Sequence, residues 1–124
     1  MGFCVFQFFK NGKWQKVLVD TRIPYNKDTK SILYSRCSDQ EELWVPLMEK
    51  AYAKLHGSYE ALHGGSLAQA LVDLTGGVSE KYYLDTPEMK EAIESDQLWK
   101  DLKKWKQSKF LLGCSRSIKE EDGT

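Results

Sequence analysis

A surplus of charge of either sign is missing from this chain: 18 Lys and Arg are matched by 18 Asp and Glu, for a formal net charge of +0. Without a basic excess or a long basic run there is no electrostatic footprint for a phosphate backbone, so no nucleic-acid partner is expected. Cysteine is scarce as well. Cys4, Cys37 and Cys114 are odd in number and show no paired spacing, which argues against a disulfide framework and fits a reducing compartment. Histidine is limited to His56 and His63, with no His-x-x-x-His or Cys-x-x-Cys spacing, so zinc is not expected. No apolar run approaches the roughly 20 residues of a membrane span. The start MGFCVFQFF lacks the basic stretch and small-residue cleavage site of a secretory signal. A cytoplasmic location with no transmembrane segment is the resulting expectation.

What is present points to a packed core. Hydrophobic residues make up 41% of the 124, with four Trp and six Tyr, which is too apolar and aromatic for a disordered chain. The length suits one small domain or part of a larger one. The segment from Leu43 to Gly77 organises the rest. Leu43, Trp44, Leu47, Met48, Ala51, Tyr52 and Leu55 recur at helical spacing, so the sequence predicts an amphipathic helix with a large apolar face that needs a partner layer. Ser38, Asp39, Glu41 and Glu42 place capping oxygens and negative charge before it, Pro46 limits how far upstream it begins, and a start near Glu42 with an end near His56 follows. Two Gly-Gly pairs, Gly64-Gly65 and Gly76-Gly77, flank a second short helix, Leu67 to Leu74, capped by Ser66.

Upstream, Phe3 to Phe9 and Trp14 to Asp20 read as two strands joined at Asn11-Gly12, a strong hairpin signal, with Val17 and Val19 on one face. A short strand is predicted within Ser31 to Tyr34. Downstream, the sequence predicts a strand from Val78 to Leu84, then a helix opened by Thr86-Pro87 that runs to Gln107 with a break near Ser95-Asp96. Leu98, Trp99, Leu102 and Trp105 form its apolar stripe, expected to pack on a sheet with the intervening lysines in solvent. Phe110 to Cys114 reads as a buried strand, and Lys119 to Thr124 as a frayed tail. Cys4 and Cys114 are then expected as buried structural thiols, Cys37 as a loop thiol, and both histidines as surface or capping residues.

The run WVPLMEKAYAKLHGSYEALHGGS followed by LVDLTGG resembles the calpain family of calcium-dependent, papain-like cysteine proteases, and within it the large plant and protist members. The resemblance extends upstream through FQFFKNGKWQKVLVDTRIP and downstream to FLLGCS. It implies an α+β fold, a fragment of the papain-like protease core with a central helix and antiparallel strands. Residues 1–65 would be the end of the first core subdomain, residues 66–118 the opening of the second, and residues 119–124 a disordered tail. The resemblance also places the catalytic cysteine upstream of the matched region and the histidine and asparagine beyond it, so this segment would be inactive alone.

Two positions match working parts of the family. Glu42, in EELW, matches a glutamate that binds calcium in the first subdomain; as one ligand of several, it would give this segment little calcium affinity by itself. Gly65, in HGGS with Gly64 before it, matches the glycine whose main chain pairs with extended substrate, which the lack of a side chain permits. The implied partners are protein and peptide substrates, with further domains in the parent. Lys81-Tyr82-Tyr83 and the charge-rich helix from Pro87 to Gln107 depart from the family pattern. They keep open a second class of function, a non-catalytic interaction module using the basic-aromatic surface around Trp99, Lys103, Lys104 and Trp105.

Overall fold

A computed structural model describes residues 2–116. The predicted tail at 119–124 lies outside the described residues. Strands β1 (Phe3–Lys10) and β2 (Lys13–Asp20) pair antiparallel with Lys10 opposite Lys13, leaving Asn11 and Gly12 as the two-residue turn. Both turn residues have positive φ, 54° and 74°, as a turn matching the twist of the strands requires. A second, minimal pair joins β3 (Tyr25–Asn26) to β4 (Ser31–Ile32). Four helices follow: α1 (Trp44–His56), α2 (Leu67–Thr75), α3 (Pro87–Glu94) and α4 (Gln97–Gln107), with one 3-10 turn at Glu60–Leu62 between the first two.

Alternation along β1 puts Cys4, Phe6 and Phe8 on one face, and the register sets them beside Val17 and Val19 of β2. Helix α1 lays Met48, Ala51, Tyr52 and Leu55 on that face, and α2 packs against β1. Phe8 and Ala51 are essentially without exposure at the centre, the alanine permitting close approach of the helix. Lys50 Nζ bonds the Asp20 carboxylate at 2.6 Å, so this point of α1 stands level with the last residue of β2. Leu43 and Trp44 lie more than a turn further on and are exposed, whereas the sequence places them on the buried face.

The central helix begins at Trp44 rather than near Glu42. The later start puts Pro46 at the third helical position, where its missing N–H costs no intrahelical bond. Asp39 accepts from the Glu41 N–H at 2.9 Å, making a turn of its own instead of a helix cap. The downstream caps form as predicted. Ser66 Oγ accepts from the Gln69 N–H, Thr86 Oγ1 accepts from the Met89 N–H, and Asp96, at φ 59°, breaks α3 from α4.

The two predicted downstream strands do not form. Val78 to Leu84 and Phe110 to Cys114 are irregular, Val78 is 97% exposed, and Cys114 is exposed rather than buried. A strand exists only as half of a hydrogen-bonded pair, and among the described residues neither segment has a partner. Cys4 and Cys37 are half-buried. The α4 stripe is also corrected: Leu98, Leu102 and Trp105 are half-buried, but Trp99 faces solvent with the Lys103 ammonium 5.4 Å from its ring centre. Among the described residues no sheet backs the stripe. Helix α4 packs on α3, and Trp105 stacks on Tyr82 at 5.4 Å.

Candidate functional site

Between the end of α1 and the start of α2 the chain makes an exposed excursion that carries Gly64 and Gly65. Its internal bonds are short-range. The Leu62 N–H donates to Tyr59 O, the His63 N–H to Glu60 O, and the Ala61 N–H to Ser58 Oγ. Gly64 has φ 75°, a left-handed conformation that suits glycine, while Gly65 at φ 159° borders the fully extended range. A Cβ at either would meet nothing within 4 Å, so open space borders both. Beside them is a recess of about 480 Å³ lined by Tyr34, Glu49, Tyr59, Glu60, Leu62 and His63. The Tyr59 ring stacks on Tyr34 at 4.3 Å, and among the described residues its buried hydroxyl has no hydrogen-bond partner. Burial, then the Glu49 charge, pushes the Tyr59 phenol up from its ordinary pKa. Glu49 itself accepts from the Ser35 N–H and hydroxyl, fastening the preceding loop to α1.

Both ends of the excursion converge on a group that the sequence did not single out. Asp73, on α2, has no exposed surface. Its Oδ2 accepts from Tyr52 Oη at 2.6 Å and Lys10 Nζ at 3.1 Å, and its Oδ1 accepts from Gln69 Nε2 at 2.8 Å. His56 extends the network. Lys10 Nζ lies 3.1 Å from His56 Nε2, and His56 Nδ1 lies 2.9 Å from the Tyr52 carbonyl. An ammonium only donates and a carbonyl only accepts, so the ring accepts at Nε2 and donates from Nδ1. Burial pushes the Asp73 carboxyl up, but the bonds from Tyr52, Gln69 and Lys10, with the Lys10 charge, outweigh it and leave the pKa below its ordinary value. Burial, and then the bond to Asp73, drives the Tyr52 phenol far upward, so it stays a donor.

The signal for Asp73 was present but ambiguous. Gln69 and Asp73 are one helical turn apart in a nine-residue helix that is otherwise apolar up to its final Thr75, which reads equally as a wet face. The structure buries Asp73 beneath an exposed Gln69 and leaves Leu67 and Leu74 partly in solvent. Of the predicted site residues, Gly64 and Gly65 share the excursion, while Glu42 stands apart before α1. Its carboxylate is exposed and, among the described residues, accepts only from Trp44 Nε1, at 3.3 Å. Among the described residues no group of three or more His, Cys, Asp or Glu is placed to hold a metal. Calcium requires six to eight oxygens, so Glu42 with its neighbours here does not make a calcium site.

No helix among the described residues is long and apolar enough to cross a membrane. The whole of the chain, residues 1–124, matches the family model described as "Calpain family cysteine protease". That match makes the chain part of a cysteine-protease core, and its α+β arrangement of hairpin and helices is consistent with it. The chain belongs to the calpain family. It is 46% identical over 113 residues to the calpain-type cysteine protease DEK1 of Zea mays, covering 91% of this chain and 5% of that protein. To Calpain-A of Drosophila melanogaster it is 45% identical over 111 residues, 89% of this chain and 12% of that protein. To Calpain-9 of Mus musculus it is 44% identical over 110 residues, 89% of this chain and 15% of that protein. The chain therefore spans only a small part of the relatives it matches.

Proposed function

We propose that this chain is the substrate-facing middle of a calcium-dependent, calpain-type cysteine endopeptidase that acts on cytoplasmic proteins, with the catalytic cysteine, histidine and asparagine supplied by residues outside it. The observation that carries the proposal is the Gly64-Gly65 excursion: two glycines with open space beside them and near-extended backbone at Gly65, in a chain of the calpain family. Such backbone offers its N–H and C=O to an extended peptide in β-type pairing, which holds the scissile bond without demanding a particular side chain. The residues at hand support a binding role rather than a chemical one. Both nitrogens of His56 are engaged by Lys10 and the Tyr52 carbonyl, leaving none to activate a thiol. Glu42 would contribute one of several calcium oxygens in the complete core, and the crossing between the two core subdomains would fall just after Gly65.

The test uses a longer protein that contains this chain and its flanks. Gly65→Val should raise KM for a peptide substrate by about tenfold or more, because a branched side chain blocks the approach of the peptide backbone. The 124-residue chain alone should release no product from casein with or without calcium. An unchanged KM in a folded variant, or hydrolysis by the chain alone, would sink the proposal. A second reading has one observation in its favour. Trp99 is 59% exposed beneath Lys103, a basic-aromatic surface able to contact a protein partner in a non-catalytic family member.

A further inference from the structure

The excursion between α1 and α2 has little of its own to hold it in place. Its backbone bonds curl residues 57–66 locally; before the glycines its 3-10 turn leans on α1 and the Tyr59 ring stacks on Tyr34, and no such attachment is described for Gly64 or Gly65 themselves. Where Gly64 and Gly65 stand relative to the hairpin is therefore decided at the two ends. The first end is the last turn of α1, which carries Tyr52 and His56; the second is the first turns of α2, which carry Gln69 and Asp73. We infer that Asp73 is the positioning residue of the Gly64-Gly65 segment, its one buried carboxylate fastening both ends of the excursion to each other and to the hairpin.

Each partner of the carboxylate comes from a different direction. Tyr52 Oη donates from α1, Gln69 Nε2 from one turn back on α2, and Lys10 Nζ from the last residue of β1, which also reaches His56. A charge with no exposed surface tolerates little displacement: withdrawal of Gln69 leaves Oδ1 without its donor, and withdrawal of Tyr52 or Lys10 leaves Oδ2 with one donor in place of two. The span from His56 to Ser66 is thus held at a fixed separation, and the glycines ride on it. Lys10 and Asp73 are 63 residues apart, so the tie joins the hairpin to the far side of the excursion. For its consequence in catalysis the inference rests on the proposed substrate role of Gly64 and Gly65; for the geometry of the excursion it does not.

Amide hydrogen exchange on the full 124-residue chain tests it, comparing wild type with Asp73→Asn and with the milder Gln69→Ala. In Asp73→Asn the hydrogen-bonded amides within residues 58–66, those of Ala61, Leu62 and His63, should exchange at least tenfold faster, while the paired amides of β1 and β2 change less than twofold. Gln69→Ala, which removes one donor, should give the same pattern at about threefold. A uniform acceleration that includes the hairpin, or no acceleration in residues 58–66, overturns the inference. Should Asp73→Asn fail to fold, the Gln69→Ala pattern decides by the same criteria. Exchange needs no substrate, so failure here is distinct from an unchanged KM in Gly65→Val, which would count against the substrate role alone.

Discussion

Asp73 shows how a single carboxylate can be favourable where burial alone would expel its charge. Three donors reach its two oxygens, and the ammonium of Lys10, 26% exposed at its side chain, supplies the countercharge. Truncating it to Ala would leave Tyr52, Gln69 and Lys10 without their common acceptor, for a cost of about 3 kcal/mol. The pH dependence has a definite sign. The folded pKa lies below the ordinary 3.8, so between the two values the unfolded chain binds more protons and stability rises with pH. The contribution is complete above about pH 5 and is lost as the pH falls below about 4. Urea unfolding from pH 7 down to pH 3 should show a smaller loss in Asp73→Asn than in wild type, and equal losses would refute the assignment. Asp20, held low by its bond from Lys50, shares the acid sensitivity of both proteins and cancels in the comparison. Of this network only the Gln69–Asp73 spacing was legible in the sequence. Spacing places Gln69 and Asp73 on one helical face, but nothing in a linear sequence tells which way that face turns, or that Lys10 will reach it.

Elements whose ends and turns are set by local chemistry were legible, and those that need a distant partner were not. The hairpin followed from Asn11-Gly12 between alternating strands, α2 from its Ser66 cap, and the break between α3 and α4 from Ser95-Asp96. Val78 to Leu84 and Phe110 to Cys114 carry the composition of strands, but β-propensity describes fitness for a half-buried pleated surface, and none is presented to them among the described residues. The α2 terminus gives a sharp contrast. Gly76 closes the helix at φ 70°, and a Cβ there would lie 2.8 Å from the Trp14 ring, so both conformation and contact exclude a side chain. Gly76→Ala should destabilise by about 2 kcal/mol or more. Ser66→Ala should cost about 1 kcal/mol through the lost cap. At Gly77 a Cβ would meet only Thr75 Oγ1, at 3.2 Å, so Gly77→Ala should cost clearly less than Gly76→Ala. Denaturant midpoints of the three variants check the order.

The molecule taken whole has a narrow core and a wide apolar exterior. Phe8, Val17, Val19 and Ala51 are buried together, while Phe3, Val5, Trp14, Val78, Phe110 and Leu111 are each more than half exposed. A core this size offsets little more than the chain entropy it must overcome, so the isolated chain should unfold broadly and below about 55 °C. Calorimetry showing one sharp transition above that temperature would contradict the expectation. Family membership was legible because a long pattern of Trp, Tyr, Gly and charged positions survives without any tertiary knowledge, whereas the calcium role proposed for Glu42 would depend on oxygens that its neighbours among the described residues do not provide. The hairpin has one last consequence. Among the described residues β1 and β2 pair only with each other, so each has an outer edge of unpaired N–H and C=O groups next to an exposed face of Phe3, Val5 and Leu18. Lys13 and Lys16 guard the β2 side with charge, but β1 holds no charged residue before Lys10. Concentrated solutions of the chain should therefore cloud and gel by strand addition along β1, and a lysine in place of Val5 should keep them clear.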